Sequence, residues 1–148
     1  LTGHLARANP QAQQLAAGCP AHAVFTGPHA YISPRWYEPA VDNVPTWNYA
    51  VVHAHGTARP VSDEVAAYEW MQKLVQVHDP SWPLDLPPRE RRALLRGIIV
   101  FQIDCERLDV KFKLSQNRSV DDRTGVIKGL EQGNAGDQAT ARWMRRIF

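Results

Sequence analysis

The apolar residues of this chain come in short runs. The most apolar stretches, around Val24–Phe25 and Ile98–Ile103, are the length of a strand. Nothing approaches the roughly 18 consecutive uncharged apolar residues that a membrane-crossing helix needs. Runs this short can be buried only against one another, by packing several strands and helices around a core. A chain of 148 residues is long enough to enclose such a core in one domain spanning 1–148. With 44% hydrophobic and 22% charged residues, the composition is neither that of a disordered chain nor that of a membrane protein.

Seventeen basic residues against fifteen acidic ones give +2, too small an excess to argue for nucleic acid by itself. The charge is locally clustered, at Arg89, Arg91, Arg92 and Arg96 and again at Arg142, Arg145 and Arg146. Such clusters serve as solvated helix faces or, less commonly, as contacts to a phosphate backbone. Cys19 and Cys105 form no metal-ligand pattern, so two free thiols in a reducing cytoplasm are expected.

Local signals divide the chain. Leu1-Thr2-Gly3-His4 lacks an initiator Met and reads as the end of a strand already under way, so N-terminal residues are expected before it. Asn9-Pro10 predicts a helix start and Gly18 its end. Ala21–Thr26 predicts a strand, Gly27-Pro28 a turn, and Ala30–Ser33 a second strand stopped by Pro34. A structured loop should run from Arg35 to Pro45. From Thr46 to Ala58, β-branched and aromatic residues predict a strand covered on both faces. Ser62 should cap the longest helix, which keeps its spacing to His78. Pro88 opens a basic helix closed by Gly97. Ile98–Asp104 is the clearest β run, and Lys111–Leu114 a further strand. Ser119 caps a helix to Leu130, and Asp137 starts the last one, which runs to Phe148. Short strands with a long helix and peripheral helices predict an α+β fold built on a small barrel.

The chain has no Gly-x-Ser-x-Gly elbow, no Walker loop, no Gly-x-Gly-x-x-Gly fingerprint and no Cys-x-x-Cys. No catalytic residue stands out. His53 and His55 share a strand face but lack a third ligand nearby in sequence, so ordinary strand histidines are expected and no metal. In Lys111–Arg118, Lys111, Lys113 and Ser115 point one way and Phe112 and Leu114 the other. The cationic face, followed by Gln116, Asn117 and Arg118, suits a phosphate or a flat heterocycle. A solvated strand edge would look the same. Thr46-Trp47-Asn48-Tyr49 alternates aromatic with polar side chains, which fits a core or a ligand ring. Trp36 and Tyr37 are read in the same two ways. His4, with Arg7 and Asn9 behind it, is either an anion contact or a structural histidine.

Four long motifs then appear in order: Gly3–Gln11, Phe25–Tyr37, Val44–Tyr49 and Lys111–Arg118, followed by Asp122-Arg123 and Gly125-Val126-Ile127. Together they closely resemble the PaiB-like FMN-binding family, whose members are described as negative transcriptional regulators. The resemblance implies an FMN-binding split β-barrel with peripheral helices, shared with pyridoxamine-phosphate oxidases and flavin reductases. It also implies a cytoplasmic homodimer with FMN between subunits. By that resemblance, His4, Ser33, Trp36, Thr46, Trp47 and Asn48 line or brace the site, and Lys113, Gln116, Asn117 and Arg118 approach the cofactor or the dimer seam. Family members carry further N-terminal strands that this chain lacks, so it is expected to be the C-terminal part of a longer one. Regulation, with DNA as a partner by resemblance alone, is the first functional expectation. An FMN-dependent oxidoreductase or flavin reductase is the alternative, and a haem-binding module using His4 or His29 is a third. No membrane association is expected.

Overall fold

Two of the four strands run straight through breaks that the sequence pattern implies. The computed structural model describes residues 1–38 and 43–148; residues 39–42 of the expected loop lie outside the described residues. Strands β1 (Thr2–Ala6), β2 (Cys19–Ile32), β3 (Thr46–Pro60) and β4 (Ile98–Lys113) form one sheet in the order β1-β4-β3-β2. Strand β1 pairs antiparallel with β4, from Thr2 opposite Gln102 to Ala6 opposite Ile98. The remaining elements are helical, and the fold is the expected α+β split-barrel type with peripheral helices.

Two expected breaks are absent. Gly27-Pro28 does not turn the chain: β2 continues through both residues. Proline has no N–H to give a ladder, but β2 is an edge strand, where one donor can be missing without loss. A side chain at Gly27 would sit 3.1 Å from the Ala50 Cβ on β3, so glycine permits the close approach. Likewise Ile98–Asp104 and Lys111–Leu114 are not separate strands, because the charged stretch between them belongs to β4. Every residue of that strand from Asp104 to Phe112 is exposed, so the charges are compatible with extended backbone.

The chain falls into two compact units. The first comprises Leu1–His22 and Ala54–Arg107. It holds α1 (Gln11–Ala17), α2 (Glu64–His78) and α3 (Pro88–Gly97). Asn9 Oδ1 accepts from the Gln11 N–H, and Gly18 closes α1 with a φ of 75°. Asp63, not Ser62, caps α2: its Oδ1 accepts from the Ala66 N–H at 2.8 Å. The shift puts the capping carboxylate at the positive end of the helix dipole. Ala67, Met71 and Val100 form the core, with Trp70, Leu84, Leu95 and Ile98 against them. Tyr68 fastens the proline-rich connection, donating to the Leu84 carbonyl and accepting from the Leu86 N–H. Arg7 finishes α3. Its backbone N–H reaches the Gly97 carbonyl, and its guanidinium reaches those of Arg96 and Ile98, satisfying groups that a helix end leaves open.

The second unit comprises Ala23–His53 and Leu108–Phe148. It contains a short 3₁₀ turn (Pro34–Trp36), α4 (Val120–Glu131) and α5 (Ala135–Ile147). Its core gathers Ile32, Tyr37, Leu114, Val126, Leu130 and Met144. Ser119 caps α4 as expected. The last helix begins two residues before the expected Asp137, because Asn134 is the cap and Asp137 completes a capping box. Trp36 packs on the glycine face of α4. A Cβ at Gly125 would lie 2.2 Å from the Trp36 carbonyl oxygen, and one at Gly129 would overlap the indole.

Gly125→Ala should therefore lower stability by about 1–3 kcal/mol through overpacking, outweighing a helix-propensity gain of about 1 kcal/mol. Gly97→Ala, with nothing within 4 Å of its Cβ, is expected to be neutral or stabilising. Thermal unfolding of the two variants checks the contrast.

Candidate functional site

Of the ten residues singled out from the sequence, nine fall in the second unit and only His4 in the first. The structure then divides the nine by role. Some hold the framework; others reach the surface.

The framework group is Asn48, Trp36 and Ser33, buried or half-buried, together with Gln116, which is exposed but bound to its own turn. Asn48 is 1% exposed, and a buried amide must find partners or cost stability. Its Nδ2 donates to Ser115 Oγ at 3.0 Å and lies 3.5 Å from Met144 Sδ. Ser115 takes a φ of 66°, unusual for a residue with a side chain, and so turns its hydroxyl into the interior just after β4 ends. Gln116 clamps the same turn: its Oε1 accepts from the Leu114 N–H at 2.7 Å and its Nε2 donates to the Phe112 carbonyl at 2.6 Å. Both ends of that amide are therefore engaged by its own strand. Trp36 is packed against the core, and Ser33 Oγ caps the 3₁₀ turn through the Arg35 N–H.

The outward group is Thr46, Trp47, Lys113, Asn117 and Arg118. Lys113 Nζ donates to Thr46 Oγ1 and to the Trp47 carbonyl at 2.7 Å. An ammonium has three donors, so one is left for another acceptor. Arg118 is stacked 4.3 Å over the Tyr37 ring and donates through Nη1 to Asn43 Oδ1 at 2.8 Å. The stacking fixes its fork, and among the described residues only Nη1 of the guanidinium has a hydrogen-bond partner. Asn117 is exposed on the turn between them. Trp47 is 52% exposed, a large apolar surface to leave in water.

Trp47 forms one wall of a cleft of about 440 Å³ bounded by Gly27–Tyr31 of β2 and by Asn134, Gly136 and Asp137 at the start of α5. Tyr31 meets Trp47 edge-on at 6.2 Å, and His29 lies tilted to it at 6.2 Å. The alternation rule would have put His29 and Tyr31 on one strand face, but the expected strand began at Ala30, so it held Tyr31 and left His29 outside, next to the expected Gly27-Pro28 turn. Asn134 and Asp137 carried a capping signal only, and nothing local tied them to Trp47. The cleft offers aromatic faces of the kind that accommodate flat rings; Lys113 stands at the Trp47 carbonyl, whereas Arg118 lies against Tyr37 and Asn43 and does not line the cleft.

His4 is exposed on β1, its ring 5.6 Å from Trp70. His55 stacks on His22 at 4.2 Å and 11°. Among the described residues, no group of three or more His, Cys, Asp or Glu is placed to hold a metal ion. Cys19 and Cys105 are free thiols, and no described helix is long and apolar enough to cross a membrane.

Residues 1–107 match the model of a family described as a putative FMN-binding domain. The Bacillus subtilis protein named "Protease synthase and sporulation protein PAI 2" is 38% identical over 135 residues, 88% of this chain and 64% of that protein. An uncharacterized protein of Emericella nidulans is 32% identical over 173 residues, 94% of this chain and 68% of that protein. The chain thus spans 64% of the length of the Bacillus relative it matches. Among solved structures, an FAD and heme binding protein from Mycobacterium smegmatis superposes with a TM-score of 0.61 at 16% identity, covering 83% of this chain and 58% of that one. A flavocytochrome from Azotobacter vinelandii gives 0.54 at 16% identity, over 76% and 49%. At such identities the likeness is one of fold.

Because Ser115 combines a strained backbone with a buried hydrogen bond, its variants should separate the two. Ser115→Gly loses the bond but relieves the left-handed conformation, whereas Ser115→Ala loses the bond and keeps the strain. Urea unfolding should rank wild type above Ser115→Gly, and Ser115→Gly above Ser115→Ala.

Proposed function

The chain belongs to the family of putative FMN-binding domains, and from that premise we propose that it binds FMN and serves flavin-dependent redox chemistry. The observation that carries the reading is the pairing of that family match with an exposed Trp47–Tyr31 cleft beside the Lys113 ammonium. The residues present fit the group. Trp47, Tyr31 and His29 offer surfaces for a flat ring, and the donors of Lys113 and Arg118 that have no partner among the described residues suit its phosphate. Thr46 and Asn117 stand beside them as polar contacts. Asn48, Trp36, Gln116 and Ser33 act behind, holding those groups in place. The assignment of His4 rests on the family resemblance.

When bound, the flavin supplies the electron chemistry, while the protein binds, orients and shields it. Lys113 holds a positive charge at a fixed point because Thr46 and the Trp47 carbonyl limit its movement. A cytoplasmic homodimer is part of the proposal. Leu108, Val110 and Phe112 share one face of β4 and are 59%, 56% and 37% exposed, which favours cover by a second copy. The solved structures of like fold carry names with flavin in them, which favours the redox reading. A regulatory reading is favoured separately by the name of the Bacillus relative, in which sporulation appears.

Fluorescence titration of FMN into the full-length protein tests the binding. The wild type should quench the flavin saturably. Lys113→Met should weaken it about tenfold or more, as expected when a charge-assisted bond is lost, with the far-ultraviolet circular dichroism unchanged. Bleaching of bound flavin at 450 nm by NADH or NADPH supports the redox role. An absence of flavin uptake at any concentration sinks the whole reading, whereas uptake without reduction, together with a sequence-dependent mobility shift on DNA, turns it toward regulation.

A further inference from the structure

We propose that a cleft in the first unit is a separate binding site for a small carboxylate with an apolar body. Its volume is about 610 Å³, within the range of about 300–1,000 Å³ common for ligand pockets. The cleft shares no lining residue with the proposed flavin set.

The lining has two parts. Val61, Ala67, Leu95, Ile98 and Val100 make apolar walls between α2, α3 and the start of β4. Arg7, Arg96, Ser62 and Glu64 bring polar groups to the same cleft. Apolar walls with few polar groups are what an amphipathic ligand needs, since the walls remove its body from water and the polar groups orient its head.

Arg7 is held in place before any ligand arrives. Its backbone N–H bonds the Gly97 carbonyl at 2.9 Å, Nε the Arg96 carbonyl at 3.1 Å and Nη2 the Ile98 carbonyl at 2.8 Å. Among the described residues Nη1 has no partner, and the Arg96 guanidinium pairs with no carboxylate. Ser62, relieved of the capping role by Asp63, has its hydroxyl free of any bond among the described residues. A guanidinium fork matches the planar geometry of a carboxylate, and one fixed beforehand loses little freedom on binding.

Glu64 sets the charge of the ligand. Two guanidiniums against one carboxylate leave a lining of net +1, which a single negative charge neutralises. A dianionic phosphate head would face Glu64 with a second charge to accommodate. The cleft therefore favours a carboxylate over a phosphate monoester, and a charged head over a neutral one.

Calorimetric titration of the full-length protein with sodium octanoate tests this, with 1-octanol and inorganic phosphate as partial probes. Octanoate should bind saturably, and each partial probe at least fivefold more weakly. Arg96→Met should weaken octanoate about fivefold, and Glu64→Gln should tighten it; both change exposed side chains and should leave the fold intact. Leu95→Trp should fill the cleft and abolish octanoate binding while FMN titration stays unchanged, which separates this site from the flavin one. No saturable octanoate binding, an equal response to octanol, or octanoate binding indifferent to Arg96→Met and Glu64→Gln would overturn the proposal.

Discussion

The surface of the second unit depends on one buried amide. Asn48, on β3, can be left in the interior only because the Ser115 hydroxyl answers it, and Ser115 can answer only from a left-handed backbone. That conformation turns the chain directly after β4 and brings Gln116, Asn117 and Arg118 round in sequence. Met144 of α5 closes over the same amide. One hydrogen-bonded contact thus fixes where a strand ends, how the three residues after Ser115 face, and which side of α5 meets the core.

The long motifs of this chain mix two kinds of residue. Part of each motif builds the frame, and part meets what lies outside. In the Lys111–Arg118 run, Leu114, Ser115 and Gln116 make the turn, whereas Lys113 and Arg118 carry charge to the surface. Trp36 is similarly a packing residue, seated where α4 has glycines and could not accept a side chain. Trp47, from a motif with the same aromatic appearance, is half in water. Equal residue types serve unlike purposes because the neighbours differ.

Arg7 shows the same economy in the first unit. By satisfying carbonyls at the end of α3 it finishes a helix and also positions a cation at a cleft. A side chain with five donors can serve structure with some and face solvent with the others. The stacked Arg118 follows the same logic on Tyr37.

Much was legible from local signals. Helix starts at Ser119 and Pro88, the stop at Gly18, and the strand from Thr46 are set by capping chemistry, proline geometry and β-branched content within a few residues. The motifs that mark the family were equally plain. The continuity of β2 through Gly27-Pro28 was not, because whether a proline breaks a strand depends on whether that strand is an edge, and an edge is defined only by the assembled sheet. The same holds for His29, Tyr31 and Asp137 meeting around Trp47. Residue order determined which side chains were present and where short elements begin; the choice between bracing and exposed roles waited on tertiary packing, since burial and hydrogen-bond partners come from residues far apart along the chain.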